Sequence, residues 1–439
     1  RSSHCNKLQR IFGIYFKSRG LSAKACDTLH ALGVTMSSKW ISNSVDQISE
    51  EALRTVEQNF LERLEKKASS GCGTAGMVFF KRNAPKTPLL MNSQLRQSRI
   101  NGMKNPLTAL DIYDLARKGF ADIEKWMAHH ILEVLLDAPE FDLPTYHGRS
   151  SAALTPPASV DLLPCGPDNI TEQYMLSTLP TPEASYEDND KVLTNFLEQV
   201  GIRTPQQRRE FGSKRVLFVV GDQLTVDRVR GLQRFRARDL NAGDRLDFMV
   251  PVFGWLHYEM AVAKSLHKQY LGTLSGLGLK HAFHLLERKG LDTTSTQGPF
   301  HENLEHALYA ILSARIRVSW LKIAGFESLA ELRHCRPEEL AQLAQQILRE
   351  HASAERLSAL HEAPDRDSCE VLYHSIMLNR DLLLYVVLNQ AIKRGDVGMM
   401  EHMLPHMLFR FIGGKNSHYA GETLEILQGL HREWPVEVA

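Results

Sequence analysis

Residues 214–225, KRVLFVVGDQLT, decide the reading of this chain. The run 216–220 is too short to cross a membrane and rich in β-branched residues, so it reads as a buried strand. It stops at Gly221-Asp222, which puts a carboxylate at a sheet edge, where open α/β sheets place their ligands. A Gly-Asp pair after a strand is also an ordinary turn and helix cap, and this plainer reading stands beside the functional one.

Downstream, Arg228, Arg230, Arg234, Arg236 and Arg238 crowd into eleven residues. Between 201 and 240 ten Lys or Arg face four Asp or Glu, although the whole chain carries only +1. A solvated helix face explains such a cluster, and so does a phosphate-binding surface, which would make DNA or RNA the partner. The next apolar run, 247–255 (DFMVPVFGW), reads as a second strand, at an edge or broken at Pro251, which has no N–H for the ladder. It leads into His257 on a helix. Strand, helix, strand, helix is an α/β arrangement whose strand ends would bring Asp222 and His257 near one another.

Upstream, 5–18, 22–32 and 37–48 read as helices, the last two separated by a turn at Gly33. They match a helix-turn-helix outline, with Lys39, Ser42 and Asn43 available to phosphates or base edges, although any two packed helices share that outline. A charged amphipathic helix is expected over 49–67, a short strand over 77–80 and a long helix over 109–136. His129 and His130 point about 100° apart on that helix, so they read as surface or packing residues and not as a chelating pair. The stretch 137–190 holds eight prolines and reads as irregular.

From Pro299 onward the pattern is helical. Pro299 and Pro337 suit first turns, Asp396 and Asn416 suit caps, and Met399, Met400, Met403 and Met407 suit an adaptable core. Glu302 and His306, four apart, could share a metal, but no third ligand accompanies them. On the last helix Tyr419, Thr423, Leu424, Leu427 and Leu430 form an apolar face, with Glu422, Glu425 and Gln428 on a solvated one.

The 439 residues, 43% hydrophobic and 23% charged, allow two or three structural units of a soluble protein. The expected fold is α+β and predominantly helical, with a small central sheet and a large all-helical insertion. Its expected divisions are an N-terminal helical region over 1–68, an α/β core over 69–272, a helical region or insertion over 273–415, and a C-terminal helix within 416–439 that packs on the core. The six cysteines are scattered without a C-x-x-C pair, which fits a reducing, intracellular compartment. No run approaches eighteen uninterrupted apolar residues, so a membrane is not among the expected partners. The opening RSSHCNKLQR lacks the apolar core of a signal peptide and begins without Met, as a fragment would.

The stretches GDQLTVDRVRGLQ, PVFGWLHYEMAVAKSLHKQYLGT, KHAFHLLERKGL and LFRFIGGKNSHYAGETLEILQGLHREWP resemble a fungal domain-of-unknown-function family with relatives in other eukaryotes. The opening HCNKLQRIFGIYFKS is similar as well, so the resemblance covers most of the chain, but it implies no activity. The layout itself looks like that of transposases with a ribonuclease-H-like core. Those enzymes put one Asp on a first strand, a second Asp at a later strand end, and a Glu on a late helix after a helical insertion. That likeness makes Asp222 the second acid, Glu422 or Glu425 the late Glu, and His257 a neighbour, with Asp222 and Glu422 holding Mg²⁺. Some such transposases carry a Cys or Asp before the His, where this chain has Gly254.

The first acid is missing, because no acidic residue lies between Glu65 and Asp111. Without it a two-metal site loses its bridging ligand. The reading is therefore a mobile-element-derived, catalytically inactive domain that binds nucleic acid. The nucleus is compatible with it, although no motif addresses the chain there. Two alternatives stand against it: a helical protein-interaction module in which Asp222 is structural, and an active Mg²⁺-dependent nuclease.

Overall fold

The computed structural model describes residues 23–31, 36–44, 70–73, 76–80, 92–179, 185–274, 276, 278–287, 291, 301–362, 370–435 and 438. The expected helices over 5–18 and 49–67, the turn at Gly33 and the Pro299 cap lie outside them. The chain is predominantly helical. Its main helices are α1 (Asn92–Met103), α2 (Ala109–Leu136), α3 (Tyr186–Gln199), α4 (Pro205–Lys214), α5 (Gln223–Phe235), α6 (Trp255–Tyr270), α7 (His301–Ala324), α8 (Pro337–His351), α9 (Glu370–Arg394), α10 (Val397–Gly413) and α11 (Ser417–Gln428). The strands are β1 (Ser70–Gly73), β2 (Met77–Phe80), β3 (Glu172–Met175), β4 (Leu217–Gly221) and β5 (Met249–Phe253).

Two short pairs, antiparallel β2/β3 and parallel β4/β5, are joined through β1 in the order β3-β2-β1-β4-β5. β1 runs antiparallel to β2 and parallel to β4, with Cys72 in register with Val78 and Val219. Among the described strands β2 is therefore the one reversed. Pro251 lies on β5 at the sheet's edge, in register with Val219, where its missing N–H costs no second ladder.

The chain divides into two compact units, and not at the boundaries expected from the sequence. Residues 1–100, 165–253 and 434–439 form an α/β unit, and 101–164 and 254–433 form a helical unit. The stretch 101–164, expected in the core, thus joins the helical unit, as does the terminal helix α11.

In the α/β unit β4 alternates with period two. Leu217 and Val219 join a buried cluster with Val192, Phe196, Phe211, Val229 and Phe248, whereas Phe218 packs toward Leu95, Val250, Val438 and Trp434. The sheet is thus covered on both faces, which is why β4 reads as a continuous apolar run and not as an alternating one. Helix α5 lies against α3 through a close approach at Gly231: a Cβ there would stand 2.2 Å from the Tyr186 ring.

In the helical unit Trp320 of α7 is fully buried and donates its indole N–H to the Ile131 carbonyl of α2 at 3.0 Å. Gly119 lets α10 approach α2, since a Cβ there would meet the His402 ring at 2.6 Å. The four methionines of α10 are buried, as expected. Asp396 caps α10 by accepting from the Met399 N–H at 3.1 Å. The same carboxylate accepts from the N–H groups of Val160 and Asp161, at 3.1 and 3.0 Å. Part of the Pro-rich stretch is therefore anchored, and three 3₁₀ turns and strand β3 give local order to other described parts of it. Helix α9 is apolar and long enough to cross a membrane, but 61% of its most apolar window is buried, the pattern of a core helix.

Candidate functional site

Asp222 follows β4 and caps α5. Its Oδ1 accepts from the Thr225 N–H at 2.8 Å, satisfying one of the orphan donors of the first turn. The carboxylate at the strand end thus has a structural task of its own. Asp222→Ala is expected to lower stability by about 1 kcal/mol in urea unfolding, and Asp222→Asn by only a few tenths. An equal loss in both variants would mean that the charge, and not the cap, matters.

The arginines after it divide by task. Arg228 lies over the Tyr186 ring at 4.6 Å, and Phe235 meets the same ring edge-on at 5.4 Å. Arg236 pairs with Asp190 at 2.6 Å and donates to the Asp244 carbonyl at 3.4 Å. Arg230 is half-buried, while Arg234 and Arg238 are exposed. Two of the five arginines, Arg228 and Arg236, therefore hold α5 on its neighbours, and the expected uniform basic face reduces to a smaller exposed set.

In the N-terminal pair, the Asp27 carboxylate accepts from the Ser38 N–H at 2.9 Å, at the start of a helix over 38–44. Cys26 and Ile41 are fully buried, and Lys39 and Asn43 are exposed.

The other expected acids belong to the helical unit. Glu422 is buried and Glu425 exposed on α11, and His257 is exposed in the first turn of α6. The expected faces of α11 are rotated: Leu424 is 40% exposed, whereas Glu422 is 4% exposed beside buried Thr423. The cause is Tyr258, whose hydroxyl meets the Thr423 hydroxyl at 3.1 Å and whose ring packs edge-on to Phe411 and Tyr419.

A two-metal Mg²⁺ centre asks for converging carboxylates. β1 is Ser70, Gly71, Cys72 and Gly73, and Asp222 spends an oxygen on its cap. The residues at this strand edge do not fit such a centre.

A second cluster was not legible in the sequence at its true register. Glu259 of α6 and His301 and Glu305 of α7 place one donor atom each within 4.8 Å of the others. His301 Nε2 stands 4.0 Å from Glu259 Oε1 and 3.7 Å from Glu305 Oε2. From α9, Asn389 Nδ2 donates to both carboxylates, Tyr385 donates to Glu259 at 3.3 Å, and Lys393 binds Glu305 Oε1 at 2.9 Å. The Tyr309 hydroxyl donates to Asn389 Oδ1 at 2.8 Å, which fixes the direction of that amide.

Burial and the nearby Glu305 carboxylate push the Glu259 carboxyl above its ordinary value. Burial pushes the His301 imidazole below its own. The sequence pair Glu302 and His306 is exposed, one residue out of step. The usable signal was the stripe of Leu304, Leu308 and Ile311, which His301 and Glu305 share.

His129 and His130 are both buried, and they bracket Glu133, at 3.3 and 2.5 Å.

The fold defines a predominantly helical α+β protein with a capped acid at a strand edge and a partly buried Glu-His-Glu cluster among helices. The chain belongs to the family of unknown function DUF6589, whose sequence model matches residues 102–439. No curated protein and no solved structure matches it.

Proposed function

We propose that the α/β unit is a ribonuclease-H-like core derived from a mobile-element transposase, that it no longer cleaves phosphodiesters, and that it binds DNA or RNA. The observation that carries this reading is the strand order β3-β2-β1-β4-β5, with β2 alone reversed and Asp222 directly after β4. A ribonuclease-H-like core has this layout and puts its second acid at that strand end. The absence of a carboxylate from β1 supports loss of cleavage, because the bridging ligand of a two-metal site would stand there.

Binding is supported by the local basic excess over 201–240 and by the exposure of Arg234 and Arg238. Lys39 and Asn43 would add contacts from the N-terminal helix pair. With nucleic acid and not a membrane as the proposed partner goes an intracellular site of action, with which the nucleus is compatible.

Fluorescence anisotropy with labelled DNA and RNA tests the proposal. Affinity is expected to fall steeply between 50 and 200 mM salt, roughly as the power of the number of phosphates contacted. The double charge reversal Arg234→Glu, Arg238→Glu is expected to weaken binding by about tenfold or more and to lower the salt slope by about two. Absence of binding at low salt would favour a helical protein-interaction module instead.

A further inference from the structure

We propose that Glu259, His301 and Glu305 bind one first-row divalent cation, of the Zn²⁺ or Mn²⁺ kind, within the helical unit. The inference does not depend on the nucleic-acid reading, since it concerns other residues in the other unit.

Three donor atoms from two helices already lie within 4.8 Å of one another. Ligand atoms bound to one ion at about 2.0–2.2 Å stand roughly 3 to 4.4 Å apart, so small side-chain rotations would bring all three onto one ion and leave a further position for water. His301 Nε2 is buried and makes no hydrogen bond, although two carboxylates stand within 4.0 Å of it. A buried polar atom left without a partner is costly, and a cation between the three groups would satisfy all of them.

The surroundings are those of a built site. Lys393 occupies Glu305 Oε1 and leaves Oε2, the oxygen that faces His301. Asn389, oriented by Tyr309, and Tyr385 hold the carboxylates in place, as outer-shell groups do around a bound metal. One imidazole with two carboxylates suits Zn²⁺ or Mn²⁺ better than Ca²⁺ or Mg²⁺, which prefer all-oxygen shells.

The test is calorimetric titration of the full chain, stripped by chelator and dialysed, with ZnCl₂ and separately with MnCl₂. One ion per chain is expected with at least one of them. His301→Ala and Glu305→Gln should each weaken uptake about tenfold or more. Glu302→Gln and His306→Ala, one position away on the exposed side, should leave it unchanged. Should His301→Ala fail to fold, the rise of wild-type Tm on adding the ion, and its loss in Glu305→Gln, gives the same reading. No uptake at millimolar ion, or uptake that His301→Ala and Glu305→Gln both leave intact, would overturn the proposal.

Discussion

Arg410→Ala is expected to destabilise the helical unit by about 3–5 kcal/mol, the largest single effect anticipated for this protein. The reason is Asp381, 4% exposed on α9. Its carboxylate receives Arg410 at 2.8 Å, Arg380 at 3.1 Å and the Tyr270 hydroxyl at 2.6 Å. Burial alone would raise the Asp381 carboxyl, but Arg410, Arg380 and the tyrosine hydrogen bond together hold it below its ordinary value. Removing Arg410 leaves a buried charge short of its main partner, which costs more than the pair itself contributes. The double variant Asp381→Asn, Arg410→Met should recover much of the loss. Urea unfolding of wild type and the two variants reads this directly, and a cost below 1 kcal/mol for Arg410→Ala would contradict the account.

The second large effect is a pH dependence at His406. Burial, then the neighbouring Arg410, pushes this imidazole down to about 4 from its ordinary 6.5. Its Nε2 donates to the Ala116 carbonyl at 3.1 Å, a bond the neutral ring makes. Because the folded chain takes up this proton less readily than the unfolded one, the unfolded state binds more protons in the window between those values. Stability from this site is therefore complete above pH 6.5 and lost progressively as pH falls toward 4, by about 3 kcal/mol. Gln at this position keeps a donor of similar reach and cannot titrate. The difference in unfolding free energy between His406→Gln and wild type should change by that amount from pH 7.5 to 4, in favour of the variant. A difference independent of pH would mean that the ring is hydrated in the folded chain.

Local signals carried far in this sequence. β4 was legible because five apolar residues end at a Gly-Asp turn, and α2 because its apolar spacing runs unbroken from Ala109 to Leu136. Pro337, Asp396 and Asn416 fixed helix starts, because a missing N–H or a side-chain oxygen acts within one turn. Strand β3 was not legible: four half-exposed residues in a Pro-rich stretch owe their pairing to β2, far off in sequence.

The unit boundaries failed for the same reason. What draws 101–164 to 254–433 is contact such as Ile131 with Trp320, which no local pattern records. At the site, Asp222 was found by its place after a strand. The facing of Glu422 was missed because Tyr258 claims the side of α11 that bears Thr423. The Glu-His-Glu cluster was missed by one residue, because i, i+4 spacing fits two helix faces and only packing chooses between them.

The α/β unit proposed here as a ribonuclease-H-like core would hold nucleic acid without cutting it. The most direct test is labelled DNA and, separately, labelled RNA incubated with the full chain and Mg²⁺, with anisotropy read from 50 to 200 mM salt and the same nucleic acid then run on a denaturing gel. The account predicts salt-sensitive binding of at least one of them that Arg234→Glu, Arg238→Glu weakens by about tenfold or more, with the nucleic acid intact. No binding of either at 50 mM salt, or Mg²⁺-dependent cleavage that Asp222→Asn abolishes, would contradict it.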